Sequence, residues 1–375
     1  MSKATDGTVI AIDARLVGYA AGIAQYTRLL IDALSGLDGP ERYVVLRGRH
    51  ARQLQVGGVR TIQRRVFTPP HNRFERWSLP AELVARRTWP ALLHSVDHVA
   101  PAWRNWRSVV TLHDLAFALY PATHTPESRA YYAATGESVR QAERVIAVSQ
   151  RTASDAVRLL GVDPARIRVV PEAAAPGFGP RDDAAFQATA AHLSIDQRPY
   201  ALFVGTLEPR KNVPLLLDAL VQVRRELDVQ LLVVGGRGWL DEPIFAAHAR
   251  SGLGDAVRFL GTLDQDDLAV LYSHAGAFVL PSMYEGFGLP VVEAMACGAP
   301  VVCSNAGPLP EVAADAALLL SPEDPSAWAQ AILAVLTDAR LADAMRQKGF
   351  ARAATFSWER AARSTRDVYR EALLA

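Results

Sequence analysis

The residues with the clearest chemical potential lie in Tyr284-Glu285-Gly286-Phe287-Gly288-Leu289-Pro290, which continues through Glu293 to Gly298. An apolar strand pattern ends at Leu280, a glycine-bearing loop follows, and Pro290 suits the first turn of a helix. The amides of residues 286–289 would then point out of a helix N-terminus, where an anion is favoured. Glu285 falls in the loop and Glu293 one turn into the helix, so both can reach a ligand bound at that end. Carboxylates there suit hydroxyl-rich partners such as a sugar or a ribose; the plainer alternative is that they complement the helix dipole. A second run, Gly205-Thr206-Leu207-Glu208-Pro209-Arg210-Lys211-Asn212, follows another apolar strand. Two fixed cations at a strand end would neutralise a diphosphate and stabilise it as a leaving group. Asn212 is a good N-cap for the helix beyond.

Weaker signals accompany these. Gly18-Tyr19-Ala20-Ala21-Gly22 joins the first strand to its helix, and Gly22 would let backbone approach a phosphate or substrate. It lacks the G-x-G-x-x-G spacing of a dinucleotide site. His113, in Thr111-Leu112-His113-Asp114, can enter a cleft from a strand end, with the adjacent acid orienting it or serving structure alone. His94 and His98 do not share a helix face but could line an acceptor side. Asp264-Gln265-Asp266 resembles a metal motif, yet Asp264 suits a helix N-cap. Cys297 and Cys303 have no metal-ligand spacing, so no metal site is expected.

These loops need a scaffold. The 375 residues exceed one ordinary domain; half are hydrophobic and 21% charged, which excludes a disordered chain. No apolar run is long enough to span a bilayer and Met1–Thr8 carries no signal-peptide core, so a cytoplasmic protein is expected. Strand and helix patterns alternate, which argues for parallel sheets covered by helices. Strands are expected near Val9–Asp13, Tyr43–Leu46, Ala91–His94, Val109–Thr111, Arg144–Val148 and Ile167–Val170, with Ser149 and Gly161 capping a helix. After a Pro/Gly-rich connection a second series begins, with strands at Tyr200–Val204, Gln230–Val234, Val257–Phe259, Ala277–Leu280 and Pro300–Cys303. The expected division is 1–175 plus 356–375, a linker 176–198, and 199–355. The fold class is α/β, with two Rossmann-like doubly wound domains facing a cleft and binding ligands at strand C-terminal ends.

Charge is uneven. Residues 41–110 hold thirteen arginines, no lysine and four acids, net +9, while the remainder is −8. This stretch also carries Phe67, Phe74, Trp77, Trp89, Trp103 and Trp106. It could meet phosphates, an anionic membrane or nucleic acid, or be a solvated surface over core aromatics.

The E-x7-E block and the Gly205–Asn212 block, with Ser304–Val312 and Phe356-Ser357-Trp358-Glu359, resemble glycosyltransferase family 4 over nearly the whole chain. The resemblance implies the GT-B fold and retaining transfer from a nucleotide sugar, with no bound cofactor or metal. The donor would sit mostly on the C-terminal domain, the acceptor mostly on the N-terminal one. The final helix would cross back to the N-terminal domain. Arg210 and Lys211 match the diphosphate pair, Glu285 the acid near the donor sugar and Glu293 the ribose-binding acid. Gly286, Phe287, Gly288 and Leu289 would offer amides to sugar and phosphate, and Thr262 and Leu263 backbone to the base. Gly22 matches the loop glycine over the phosphate, and His113 a histidine contacting the donor sugar. Catalytic roles therefore fall to His113, Arg210, Lys211 and Glu285. Two departures stand out: Pro171-Glu172-Ala173 replaces the family's Pro-Asn-Gly, and Ala20 and Ala21 replace residues that are often Ser or Thr with Gly.

The implied reaction is hexosyl transfer in cell-surface polysaccharide or glycolipid synthesis. GDP-mannose is the favoured donor and a UDP-sugar the alternative, with a saccharide or lipid-linked acceptor. The Arg-rich stretch is then expected to meet an anionic membrane on its inner face rather than nucleic acid. Rival classes are a nucleotide-sugar-binding protein without turnover and an NAD-dependent oxidoreductase; the absent dinucleotide fingerprint counts against the latter.

Overall fold

The computed structural model describes residues 7–18, 22–49, 51, 54 and 60–375. Contacts divide the chain into two units. Unit one is Met1–Pro121, Thr125–Glu172 and Ser357–Ala375; unit two is Ala122–His124 and Ala173–Phe356.

In unit one the described strands are β1 (Val9–Ala14), β2 (Arg42–Arg47), β3 (Thr61–Arg65), β4 (Leu92–Ser95), β5 (Arg107–Leu112), β6 (Arg144–Ala147) and β7 (Ile167–Val169). They pair in parallel in the order β3-β2-β1-β4-β5-β6-β7. Unit two repeats the plan with β8 (Tyr200–Val204), β9 (Gln230–Val234), β10 (Val257–Gly261), β11 (Ala277–Leu280), β12 (Val301–Ser304) and β13 (Ala317–Leu320), ordered β10-β9-β8-β11-β12-β13. Strands such as Tyr200–Val204 and Gln230–Val234 are buried throughout and, Gln230 apart, apolar or aromatic, because helices cover both faces. Strand order reverses between β1 and β4 in unit one and between β8 and β11 in unit two. Loops diverge at these switch points and leave a crevice at the strand C-terminal ends.

Local caps mostly follow the sequence. Ser149 Oγ accepts from the Thr152 amide, and Gly161 ends that helix in the left-handed region at φ +65°. Asp264 caps Gln265–His274 by accepting from the Asp267 amide. Asn212 differs: it precedes the helix Val213–Val223 at φ +55°, but its side-chain amide donates to the Pro322 carbonyl instead of capping. The amphipathic helix Trp358–Leu374 packs within unit one, where Trp358 meets Tyr26 and the Tyr369 hydroxyl meets His94 Nδ1 at 2.8 Å.

The stretch 176–198, expected as a linker, is built into unit two. It contains the helix Asp183–His192, whose Phe186 stacks on Tyr200 and His274 while Thr189 donates to Asp267 Oδ1 at 2.9 Å. Its prolines and glycines flank this helix and do not mark a free tether. Among the described residues no helix is long and apolar enough to cross a membrane.

Candidate functional site

In unit two the loops after β8 and β11 meet at the switch point. Lys211 Nζ lies 2.7 Å from Glu285 Oε1, and Arg210 Nη1 lies 3.1 Å from Glu285 Oε2. Arg210 also donates to Glu208 at 2.6 Å and to the Tyr284 carbonyl, and its own carbonyl accepts from the Met283 amide. The two cations are therefore held by a carboxylate, where the sequence suggested an open pair. Glu285 is buried, which pushes its pKa up, but Lys211 and Arg210 outweigh that and hold it at about 2. The cluster is pre-organised around a fixed negative charge that an incoming anion would have to share or displace.

The helix Leu289–Cys297 starts beside this cluster with Pro290 in its first turn and no side chain capping it. Pro290 has no amide and the Val291 amide donates to the Gly288 carbonyl at 2.9 Å, so this helix end favours an anion mainly through its dipole. Gly288 sits at φ +103°, and a Cβ there would come within 2.6 Å of Leu309 Cδ2. Leu309 belongs to the Ser304–Val312 run, which also braces the loop from behind: Ser304 Oγ donates to the Ser282 carbonyl at 2.6 Å. Glu293 is buried in the same helix and accepts from the Tyr272 hydroxyl at 3.3 Å. The Gly235–Gly238 loop, weak as a sequence motif, packs on the β8 loop so tightly that a Cβ at Gly235 would meet the Gly205 carbonyl oxygen at 1.9 Å. Thr262 and Leu263 follow β10, with Thr262 exposed and Leu263 half-buried.

In unit one the predicted residues fall less simply. Gly22 begins the helix Gly22–Gly36, but Tyr19, Ala20 and Ala21 lie outside the described residues. His113 is mostly buried: Nε2 lies 2.9 Å from the Val96 carbonyl and Nδ1 3.3 Å from Glu172 Oε1. Glu172, the departure from the family pattern, takes the orienting place expected of Asp114. Asp114 instead accepts from the Ala116 amide at 2.9 Å, two residues before the short helix Ala116–Leu119. His94 is wholly buried between Thr111 and Tyr369, with its pKa lowered to about 3 by burial and by His113. It belongs to the core and not to an acceptor surface.

A constellation that the sequence reading missed stands at the unit-one switch point. A small pocket is lined by Asp13 near the end of β1, by Arg15 just after it, by Val96 and Asp97 after β4, and by His71, Glu75 and Tyr131. Arg15 is bound by both Asp13 oxygens, at 2.8 and 2.6 Å, and lies 3.3 Å from Glu75 Oε2. Asp97 is clamped at 2.7 Å by His71 Nε2 and by His98 Nδ1. Burial raises the Asp97 pKa, but the two imidazoles outweigh it and hold the carboxyl well below its usual range. In turn Asp97 raises both histidines against the effect of burial. Tyr131 donates to Glu75 Oε1 at 2.6 Å, while Glu75 Oε2 is buried without a hydrogen bond. Burial lifts the Glu75 pKa above its ordinary value despite Arg15. The available clue was topological: Asp13 lies near the end of β1 and Asp97 two residues after β4, beside the point where strand order reverses.

A family model described as Glycosyltransferase Family 4 matches residues 20–174, and one described as Glycosyl transferases group 1 matches 186–352. The chain is similar to the O-antigen chain mannosyltransferase B of Escherichia coli, 37% identical over 304 residues, or 80% of this chain and 78% of that one. The chain belongs to glycosyltransferase family 4. It is also similar to a D-inositol 3-phosphate glycosyltransferase of Segniliparus rotundus, 35% identical over 66% of this chain and 56% of that protein. Among solved structures, the Anabaena HepE protein in complex with UDP-glucose superposes with a TM-score of 0.76 at 19% identity, covering 96% of this chain and 99% of that one. The family 4 assignment makes the protein a glycosyltransferase with the GT-B fold.

Proposed function

We propose that this glycosyltransferase moves a mannosyl unit from GDP-mannose, with retention, to a hydroxyl of a saccharide or lipid-linked acceptor in cell-surface polysaccharide or glycolipid synthesis. The observation that carries this reading is the Glu285 carboxylate fixed between Lys211 and Arg210 beside an uncapped helix N-terminus. The donor takes up the two cations with its diphosphate, the amides of Gly286, Phe287, Gly288 and Leu289 meet its sugar hydroxyls and phosphate, and Glu293 receives ribose hydroxyls. Thr262 and Leu263 offer backbone to the base, His113 contacts the donor sugar and Gly22 lies by its phosphate. As the anomeric C–O bond breaks, its electron pair leaves on the diphosphate, whose charge Arg210, Lys211 and the amides stabilise. The acceptor oxygen bonds to the anomeric carbon on the same face, and its proton passes to the departing phosphate oxygen. No metal is required in this scheme. The unit-one pocket receives the acceptor, with Asp97 and Glu75 taking hydrogen bonds from its hydroxyls. The reaction takes place on the cytoplasmic side of the membrane that carries the acceptor.

Similarity to the E. coli mannosyltransferase supports mannose as the transferred sugar. A UDP-sugar is the second reading, supported by the likeness to HepE, which was solved with UDP-glucose. A thermal-shift panel of GDP, UDP, ADP and dTDP separates them. A ligand bound only by the folded chain stabilises by RT ln(1 + [L]/Kd), about 2.7 kcal/mol at a hundred times Kd. A shift with GDP alone, followed by mannose transfer from GDP-mannose, is the expected result. A shift with UDP alone moves the assignment to a UDP-sugar. Binding without turnover on any saccharide acceptor would leave a nucleotide-sugar-binding protein.

A further inference from the structure

The arginine-rich stretch of unit one does not bury most of its aromatics. Phe67, Phe74, Trp77, Trp89 and Trp103 are each between 40% and 56% exposed, while Trp106 alone of that set is in the core. The helix Glu75–Ala85 organises them. It buries Glu75, Leu79, Pro80 and Leu83 and turns Phe74, Trp77, Ala81 and Ala85 to solvent. The spacing of these four, three then four then four residues, is one continuous stripe. A surface helix ordinarily shows solvent its polar face, so an exposed apolar stripe marks a contact surface. Pro80 extends the patch: its missing amide leaves the Arg76 carbonyl unpaired within the helix, and the Ala102 amide takes it at 2.8 Å, which brings Trp103 alongside. On the other flank the Phe67 amide donates to Glu82, and Arg86 lies over the Phe67 ring at 4.7 Å.

The charge on this face identifies what covers it. Arg73 lies over the Phe74 ring at 4.4 Å and Arg76 over Trp77 at 5.8 Å. Among the described residues, Arg73 and Arg87 form no ion pair, and both are exposed. Aromatic side chains that carry cations beside them suit the boundary between anionic headgroups and acyl chains. A protein partner would more often be met by a patch depleted of charge at its centre. The same helix carries Glu75 into the acceptor pocket. A bilayer against its outer face would therefore bring a lipid-carried acceptor next to that pocket.

We propose that the outer face of Glu75–Ala85, with Phe67, Trp89 and Trp103, docks on an anionic lipid surface. The proposal refines the lipid-linked branch of the function above. It is tested without turnover, so its failure is distinct from a failure of that reading. The full chain is sedimented with vesicles of phosphatidylcholine, or of phosphatidylcholine with one-third phosphatidylglycerol. Binding to the anionic vesicles only is expected, weakening with salt. The double variant Arg73→Gln/Arg87→Gln should bind about 25-fold more weakly, from about fivefold per arginine near such a surface. The double variant Phe74→Ser/Trp77→Ser should lose at least about tenfold. Both sets of side chains are exposed, so the thermal midpoints should match the parent and show that folding is intact. Equal binding to both vesicle types, no binding, or parent-like binding by the variants would overturn the proposal. So would a concentration-dependent dimer that the aromatic variant abolishes, since a second copy would then cover the face.

Discussion

Replacing Glu285 by glutamine tests whether the unit-two cluster is a true charge assembly. Glutamine keeps the shape and removes the negative charge, leaving the Lys211 ammonium and Arg210 guanidinium buried together. In the folded chain the Glu285 carboxyl titrates at about 2 against an ordinary 4.5, because Lys211 and Arg210 overcome its burial. That shift corresponds to about 3 kcal/mol favouring the ionised folded form, at the low end of the roughly 3–5 kcal/mol lost when a buried pair is broken. The sign follows from a depressed carboxyl: its contribution is whole above pH 4.5 and is lost as pH falls towards 2. Protonated glutamic acid is nearly isosteric with glutamine, so parent and variant should converge in acid. Of the roughly 3 kcal/mol gap at neutral pH, about 2 should be gone near pH 3. Urea unfolding of the unit-two transition, followed at several pH values on both proteins, reads this directly. A gap that is absent at neutral pH, or that does not narrow in acid, would refute the charge argument. Because the pair is buried, moderate salt should leave the gap nearly unchanged.

Gly288→Ala should destabilise the chain by more than about 1 kcal/mol, since it combines a positive φ with a 2.6 Å clash on Leu309, and should raise the donor Kd. A thermal midpoint equal to the parent's would contradict that strain. Arg210→Ala should cut kcat by about a hundredfold or more while leaving acceptor binding near normal; parent-like steady-state turnover would remove Arg210 from the leaving-group role. His94 should stay neutral in the folded chain down to about pH 3, so stability falls as pH drops from 6.5 towards 3 while the unfolded chain takes up the proton. An NMR titration of its ring with a midpoint near 6.5 would refute this. Asp97→Asn should raise the acceptor KM about tenfold and leave the nucleotide-induced thermal shift unchanged, as removal of a buried acceptor of hydrogen bonds predicts. A reduced thermal shift with an unchanged KM would place Asp97 on the donor instead.

Much of this molecule was legible in the sequence, for local reasons. Apolar runs such as Tyr200–Val204 can only be buried strands, and Ser149, Asp264 and Gly161 act on their own helix ends. The strand β3, Thr-Ile-Gln-Arg-Arg, escaped because it is a polar edge strand with one large apolar residue. The helix Glu75–Ala85 escaped because Pro80 interrupts its pattern and its outer face is as aromatic as its inner one is apolar.

The amino-acid order by itself determined which loops carry acids, cations and glycines, since those signals lie within a dozen residues of each other. Only the tertiary structure decided how the charges are spent. Arg210 and Glu285 are 75 residues apart and meet because β8 and β11 are neighbours in the sheet. Asp13, His71, Glu75, Asp97 and Tyr131 come together because the strand order reverses between β1 and β4. The physical reason is range. Caps and strand patterns are set by neighbours along the chain, whereas burial and charge pairing, which tune Glu285 and Asp97, depend on groups that sheet pairing delivers from elsewhere in the chain.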